Sequence, residues 1–190
     1  MKKEKALPLK IVAILSMLCA ISIILGKYLA IPGGEVLRFS FENLPIIFAG
    51  IAFGPFAGIA VGVVADLIGC VLVGYAINPI VTAGAFTVGL VSGLVSLLTK
   101  KVFKLPVGLT VILSVTLAHL LGSVVVKTFG LSKFYDMPFF VLMLWRLLNY
   151  AIVGVLEALL LYFLLKNKRI SSEIARFNSY KTRPSKKEKD

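Results

Sequence analysis

The sequence predicts an all-α integral membrane protein, a bundle of six membrane-spanning helices with both termini in the cytoplasm. Three observations lead to this fold class: the chain is unusually apolar, its apolar segments have the lengths of membrane helices, and its basic residues cluster at the ends and in one loop. Of its 190 residues, 58% are hydrophobic, and the mean hydropathy is +0.95. Soluble domains are about 45–50% apolar, so this chain carries more apolar surface than a water-soluble fold would bury.

Six apolar segments are candidate helices, and a span needs about 20 apolar residues. They are residues 11–31, 43–53, 55–73, 79–99, 106–128 and 138–165. The second segment is too short to cross a bilayer alone, and the Gly54-Pro55 pair after it predicts a tight turn between two short helices. Each of the last three segments begins with proline, which suits the first position of a helix because its missing N–H leaves no bond unmade.

The lysine and arginine residues predict the orientation through the positive-inside rule. Sixteen of the 21 fall in three places: the first ten residues, the loop at 100–104 and residues 166–190. Six spans put all three places in the cytoplasm, whereas five or seven spans would separate them. We therefore expect a basic cytoplasmic N-terminus (1–10), a six-helix membrane domain (11–165) and a basic, exposed and mobile cytoplasmic tail (166–190).

Several classes of function have no support in the sequence. The net charge of +12 belongs to the ends and one loop, which indicates attraction to anionic lipid and argues against nucleic acid. Cys19 and Cys70 lie in apolar segments without CxxC or Cys/His spacing, so we expect neither a disulfide nor a zinc site. No GxxxxGK[ST], HExxH or GxSxG motif occurs. We expect no metal, no cofactor and no catalytic residue in this chain.

The predicted outer half of the bundle gathers polar and aromatic side chains. An ionisable group at the centre of a bilayer costs at least about 2.5–3.5 kcal/mol, so such groups usually face the protein interior. Arg146, Asn149 and Tyr150 share one helical face by their i, i+3, i+4 spacing. The candidate ligand-binding residues are Arg38, Phe39, Phe41, Asn43, Asp66, Tyr75, Asn78, Trp145, Arg146 and Asn149.

These residue types suit a flat, heteroaromatic, anionic solute. Aromatic rings stack, amides and Asp66 bond the polar edges of a ring, and arginine binds carboxylates with two parallel hydrogen bonds. Two alternatives stay open at this point. Asp66 could instead pair with Arg38 or a lysine, and the whole set could be a polar network that only specifies the fold.

Other intramembrane residues predict packing. Gly50, Gly54, Gly58 and Gly62 recur every four residues, and Gly89 and Gly93 repeat the spacing, which lets helix backbones approach closely in lipid. Ala13, Ser16 and Ala20 form a small-residue face on the first helix, for packing or for a partner subunit. Lys127 is interpreted as reaching the headgroups along its own helix, and His119 is expected to pair with Glu157 across helices.

Residues 37–86 resemble the substrate-binding S components of energy-coupling factor (ECF) transporters, and within them most of all the folate family. The resemblance rests on Arg38-Phe-Ser-Phe, Leu44-Pro45, Gly50, Phe53-Gly54-Pro55, Gly58, Gly62, Asp66-Leu-Ile-Gly69 and Asn78-Pro79, and it covers most of residues 10–165. It implies capture of a vitamin at the outer face, followed by docking on a transmembrane coupling subunit and two cytoplasmic ATPases. The missing phosphate-binding loop agrees with an ATPase on separate chains.

The resemblance also implies roles for particular residues. Ala13, Ser16 and Ala20 match the family's docking face, with serine in place of the first small residue, and residues 30–41 match its gating loop. For folate, the cations at positions 38 and 146 would bind carboxylates, positions 66 or 149 would bond the ring edges, and the rings at 39, 41 or 145 would stack.

Three alternatives remain beside folate capture. The first is an S component for riboflavin, pantothenate or a queuosine precursor. The second is an intramembrane enzyme, for which Glu157 with His119 is the one catalytic pair on offer. The third is a structural membrane adaptor, which would not need the outer polar cluster.

Overall fold

Helices make up nearly all of the structure, a computed structural model that describes residues 9–32 and 38–182. In chain order they are α1 (Leu9–Ile23), α2 (Asn43–Phe53), α3 (Pro55–Leu72), α4 (Pro79–Lys101), α5 (Val107–Ala118), α6 (Lys127–Tyr135), α7 (Phe139–Lys166) and α8 (Lys168–Thr182). Two π-helical stretches, Ile24–Tyr28 after α1 and His119–Val126 between α5 and α6, continue their helices without a break. A short antiparallel ribbon pairs β1 (Ile31–Pro32) with β2 (Arg38–Phe39).

The helices confirm an all-α membrane fold. Five helical segments within the described residues are long and apolar enough to cross a bilayer: Leu9–Tyr28, Pro55–Leu72, Pro79–Lys101, Val107–Tyr135 and Phe139–Lys166. The remaining predicted segment, α2, is apolar but shorter. Nine of its 11 residues are buried, because it lies in the bundle against α1, α3 and α4. Its Ile46 and Ile47 form part of the hydrophobic core.

Glycine brings α2, α3 and α4 into close contact, as the four-residue repeat predicts. Gly54 makes the turn between α2 and α3 with φ of +98°, a conformation that side chains disfavour. A Cβ added to Gly58 would lie 2.6 Å from the carbonyl oxygen of Gly89, and one added to Gly62 would lie 2.6 Å from that of Ala85. Both distances are far inside van der Waals contact, so these glycines set the spacing of the three helices.

One end of the bundle holds the start of α1, the α2–α3 turn, the end of α4 and helix α8. The Phe53 and Phe177 rings lie edge to face at 5.3 Å, and the Lys100 ammonium donates to the Ile51 carbonyl at 3.0 Å. Lys10 forms an ion pair with Glu173 at the same end. The cavity described below lies at the opposite end.

Helix α8 occupies part of the predicted basic tail. Residues 168–182 are helical, and α8 contacts both α7 and α2. The segment is polar overall, but α8 is amphipathic: Ile170, Ile174 and Phe177 are partly buried while basic residues such as Arg176 are exposed. The last eight residues of the predicted tail, and the lysines at positions 2, 3 and 5, lie outside the described residues.

Candidate functional site

A cavity of about 290 Å³ lies at the end of the bundle opposite α8. The end of α3, the start of α4, helix α6 and the first half of α7 contribute to its wall, together with the π-helical end of α1 and the residues before α2. It is lined by Gly26, Lys27, Ser40, Glu42, Asp66, Cys70, Gly74, Tyr75, Ala76, Asn78, Val81, Lys127, Leu131, Phe134, Tyr135, Arg146 and Tyr150.

Five charged side chains line this cavity: three cations, Lys27, Lys127 and Arg146, and two carboxylates, Glu42 and Asp66. With all five ionised, the lining carries one net positive charge. Coulomb energies between such groups are several times larger in a protein interior than in bulk water, because the effective dielectric constant is lower. The cavity therefore favours an anion over a neutral or cationic molecule of the same shape.

The shortest contact between these charges is an ion pair between the Lys127 ammonium and the Glu42 carboxylate at 2.6 Å. Lys127 is only 4% exposed, and its ammonium also lies 3.4 Å from Asn43 Oδ1. Glu42 precedes α2. Burial raises the pKa of its carboxyl, but the positive charges around it, Lys127 first, outweigh burial and hold that pKa at about 2. Glu42 is therefore ionised at physiological pH.

Arg146 is fixed from two sides. Its Nε donates to the carbonyl of Ser123 at 3.0 Å, and its Nη2 lies 3.4 Å from the Tyr150 hydroxyl. The guanidinium carbon lies 5.4 Å from the centre of the Tyr150 ring, within the range of a cation–π contact. These contacts hold the guanidinium on the cavity wall without neutralising its charge.

Asp66 and Asn78 also line the cavity. Asp66 Oδ2 accepts a hydrogen bond from the Thr82 hydroxyl at 2.7 Å. Within the described residues no ion pair to Asp66 is present, so the alternative of a pair with a lysine is not found there. Asn78 caps α4 by accepting from the N–H of Ile80 at 3.0 Å, and it donates to the Gly130 carbonyl at 3.1 Å. Asn78 thus ties α4 to α6 beside the cavity.

The structure brings four of the ten candidate residues to this cavity: Asp66, Tyr75, Asn78 and Arg146. Asn43 and Asn149 are buried in the bundle but do not line it. Phe39 and Phe41 also lie outside the lining. Arg38 belongs to β2 by its backbone, whereas its side chain, and residues 33–37 of the expected gating loop, lie outside the described residues.

Trp145 is also absent from the lining, and 57% of its surface is exposed. It directly precedes Arg146, and adjacent residues on an α-helix point about 100° apart. Burial of Arg146 therefore turns Trp145 toward the outside of the bundle.

Sequence reasoning missed Lys27, Glu42, Lys127 and Tyr150 as lining residues, and the interpretation of Lys127 as a headgroup contact is wrong. Continuing the regular helical spacing from the buried Val111, Val115 and Ala118 predicts that Val125 and Phe129 are buried. They are instead 44% and 49% exposed, because the π-helical stretch His119–Val126 shifts the inward face. The signal that could have found Lys127 is its charge within an apolar segment, which by itself favours an inward position.

The predicted pair between His119 and Glu157 is confirmed, with Nε2 and Oε2 2.6 Å apart. Both side chains are buried, and neither lines the cavity. The small-residue face of α1 is exposed at Ala13, Ser16 and Ala20.

Comparison with known proteins identifies the chain's relatives. The family model of the ECF transporter, substrate-specific component, matches residues 10–165. The chain belongs to this family. It is the substrate-specific component of a multi-pass membrane transporter, and the family is one of transport subunits rather than enzymes.

Two solved structures show how far the likeness of this ECF component extends. The crystal structure of FolT bound with folic acid superposes with a TM-score of 0.67 and 26% sequence identity. The superposition covers 83% of this chain and 93% of the FolT chain. The S component of a bacterial ECF transporter is 19% identical, covers 92% and 98%, and has a TM-score of 0.58, which supports the fold. No curated protein matches the chain by sequence. The resemblance stated from the sequence is confirmed.

Substitution of Lys127 by methionine should lower the melting temperature of the detergent-solubilised protein markedly. Removing one partner of a buried ion pair costs about 3–5 kcal/mol, whereas replacing both partners is often neutral. The double variant Glu42→Gln/Lys127→Met should therefore recover most of the loss. The melting temperatures of the single and the double variant are measured by heating samples and following the loss of the monodisperse peak in size-exclusion chromatography. The exposed Lys133→Met on α6 is the control and should melt like the parent; a double variant no more stable than Lys127→Met would contradict the pairing argument.

Proposed function

We propose that this chain captures folate at the extracellular face, as the substrate-binding subunit of an ATP-driven importer. The observation that carries the proposal is a cavity with a net positive lining and several aromatic rings in a member of the ECF substrate-specific family. The similarity to FolT, which was crystallised with folic acid, favours folate within the class of flat, heteroaromatic, anionic solutes.

The cavity has a group for each part of such a ligand. Because Lys127 is matched by Glu42, Arg146 and Lys27 supply the positive charge for the ligand's carboxylates, and the planar guanidinium suits two parallel hydrogen bonds. Asp66 is the acceptor for ring N–H groups. The rings of Tyr75, Phe134, Tyr135 and Tyr150 surround the space, and the first three are about half exposed, so a stacked ligand would cover them.

The bundle's two ends suggest the orientation. The basic residues of the described chain outside the cavity lie mostly at the α8 end, among them Lys10, Lys100, Lys101, Lys166 and Arg176. The positive-inside rule assigns that end to the cytoplasm, so the cavity would open to the outside. Counting α2 as a short sixth span gives six crossings with both termini cytoplasmic.

The exposed face of α1 is the proposed contact with the transmembrane coupling subunit, which would in turn bind two cytoplasmic ATPases. Ala13, Ser16 and Ala20 are all exposed, and Met17 between them is 65% exposed. Small residues let a second helix approach closely in lipid, where apolar side chains alone give little drive to associate.

The ligand assignment is tested with the purified protein. Absorbance and mass spectra should reveal a co-purified pterin, and calorimetry should rank folate above riboflavin, pantothenate and a queuosine precursor. Asp66→Asn should weaken folate binding about 10- to 100-fold, because hydrogen bonds to charged groups contribute about 1.5–3 kcal/mol. Arg146→Lys should weaken it about 10-fold by losing the planar fork.

Two neighbouring variants sharpen this test. Trp145→Phe should bind folate like the parent, because Trp145 faces away from the cavity. If Trp145→Phe lost as much affinity as Arg146→Lys, or if Arg146→Ala and Lys27→Ala both bound folate normally, the carboxylate assignment would be wrong. Tighter binding of another vitamin in the panel would replace folate as the solute.

The topology is tested by labelling single cysteines in a Cys19→Ala/Cys70→Ala background. Cysteine at Asp136, in the α6–α7 connection near the cavity, should react with a membrane-impermeant maleimide on intact cells. Cysteine at Lys104, in the α4–α5 loop, should react only after the membrane is permeabilised. The reverse pattern, or labelling of both sites on intact cells, would rule out six crossings with the termini inside.

The docking face is tested by co-purification with the coupling subunit and the ATPases. Ser16→Leu/Ala20→Leu should abolish capture of these subunits by steric exclusion while folate affinity stays that of the parent. Ala151→Leu adds the same bulk to an exposed position of α7 and should leave the complex intact. Retention of the complex by the α1 variant would place the docking face elsewhere.

A further inference from the structure

Glu157 and His119 are buried deep in the bundle, and neither lines the cavity in which the ligand is proposed to bind. Their exposed fractions are 0% and 3%, and His119 Nε2 lies 2.6 Å from Glu157 Oε2. The other carboxylate oxygen, Oε1, has no hydrogen-bond partner among the described residues. A buried acid with one oxygen unsatisfied is an inefficient way to hold two helices together, because the missing bond costs about 1–3 kcal/mol or more.

Three hydrogen bonds connect this pair to the cavity, and the His119–Glu157 bond extends them to the buried carboxyl. The Lys127 ammonium donates to Asn43 Oδ1 at 3.4 Å, and Asn43 Nδ2 donates to Ser123 Oγ at 3.2 Å. Ser123 Oγ lies 3.4 Å from His119 Nδ1. In a neutral imidazole that donates to Glu157 from Nε2, Nδ1 is an acceptor, so the serine hydroxyl donates to it.

In that tautomer of His119, every intermediate group of the chain accepts one hydrogen bond and donates the next. Bonds aligned head to tail polarise and strengthen one another. The chain begins at a cation on the cavity wall and ends at the buried carboxyl of Glu157. The orientation of Asn43, and with it one contact of the Lys127 ammonium, depends on a serine hydroxyl that His119 orients.

A second branch leads from His119 to the other cavity groups. The His119 ring is stacked on the Tyr150 ring, with centroids 4.6 Å apart and an angle of 26°. Tyr150 lines the cavity and lies 3.4 Å from Arg146 Nη2. The backbone carbonyl of Ser123 accepts from Arg146 Nε at 3.0 Å. His119 thus contacts the Tyr150 ring directly and is one residue removed from the Arg146 guanidinium.

The π-helical stretch His119–Val126 places His119, Ser123 and Lys127 so that all three can take part in these contacts. It carries His119 and Ser123 and ends immediately before Lys127. All three side chains are buried. Helix α7 contacts the π-helical stretch, and α2 contacts the adjoining helix α5. π-Helical turns inside α-helices are rare, and those that occur are often at functional sites.

We propose that Glu157 and His119 are positioning residues that orient Lys127, Tyr150 and Arg146 for binding of the anionic ligand. This inference rests on the proposed function, because it assigns the pair to the same site. Glu157 fixes the tautomer and tilt of the imidazole, and the imidazole orients the Ser123 hydroxyl and the Tyr150 ring. Neither residue touches the ligand.

The test compares ligand affinity with folding stability in the full-length protein, using folate, riboflavin, pantothenate and a queuosine precursor as probes. His119→Phe/Glu157→Leu keeps a ring against Tyr150 and leaves no stranded charge, so its melting temperature should stay near that of the parent. Its affinity for the bound probe should fall about 10-fold, the effect of one to two hydrogen bonds. Glu157→Gln keeps an acceptor for the imidazole N–H and should lose no more than about 3-fold.

A control variant separates positioning from general packing. Ser96→Ala removes a buried hydrogen bond to the Ile51 carbonyl, 3.2 Å long, toward the α8 end, and should leave the affinity unchanged. Parental affinity in the double variant, or an equal loss in Ser96→Ala, overturns the inference while the proposed function stands. If the parent binds none of the probes, the proposed function fails and this inference fails with it.

If the double variant does not fold, His119→Asn decides the question. Asparagine at this position keeps a donor and an acceptor but has no ring to stack on Tyr150. A loss of affinity of about 10-fold at an unchanged melting temperature supports positioning, and parental affinity overturns it.

Discussion

The ion pair between Lys127 and Glu42 is the interaction on which the cavity depends. A lysine in the middle of an apolar helical segment is tolerated only with a partner, because an unpaired buried charge costs several kcal/mol. The 2.6 Å contact supplies that partner and draws the start of α2 against α6. Since α2 is short and nine of its 11 residues are buried, its position then fixes how α3 and α4 pack, through glycine contacts that allow almost no shift. Charge pairing and close packing are therefore two parts of one constraint.

Sequence reasoning succeeded where a single residue type decides the local structure. The Gly54-Pro55 turn, the glycine spacing and the proline at helix starts each follow from backbone sterics, and α2 begins and ends where its apolar segment does. It failed where the position of a side chain depends on the packing of two helices. The π-helical stretch His119–Val126 moves Lys127 inward against the regular helical period, and no pattern within one segment contains that information.

The same distinction explains which of the candidate residues line the cavity. Arg146 and Asp66 were found because a charge in an apolar helix needs an interior position, and that rule holds for any neighbour. Applied to Lys127, the rule would also have worked, but nearness to the helix end suggested an exit to the headgroups. Trp145 was chosen for its chemistry, although its position next to a buried arginine turns it outward.

A second space in the structure, an apolar groove of about 890 Å³ between α5 and α7, is larger than the cavity and is not the better candidate. Its wall is mostly aliphatic, with His119, Tyr150 and Tyr162 as the larger exceptions, and it carries no ionisable group other than these. Such a surface suits lipid chains. A ligand that must be taken from water at low concentration needs groups that replace its hydration, and those are charged or polar. The smaller cavity has five charged groups within one lining.

Charge balance in that cavity explains why a carboxylate stands among the cations of an anion site. Without Glu42, three cations would face one another in the empty protein, and their repulsion would favour opening of the bundle. With it, Lys127 is neutralised from within, and Asp66 offsets a second charge, which leaves a single net positive charge for the ligand. A site with less excess charge binds an anion less tightly but is stable when empty. A subunit that must both capture its solute and give it up needs that compromise, because an affinity set by three unpaired cations would be hard to reverse.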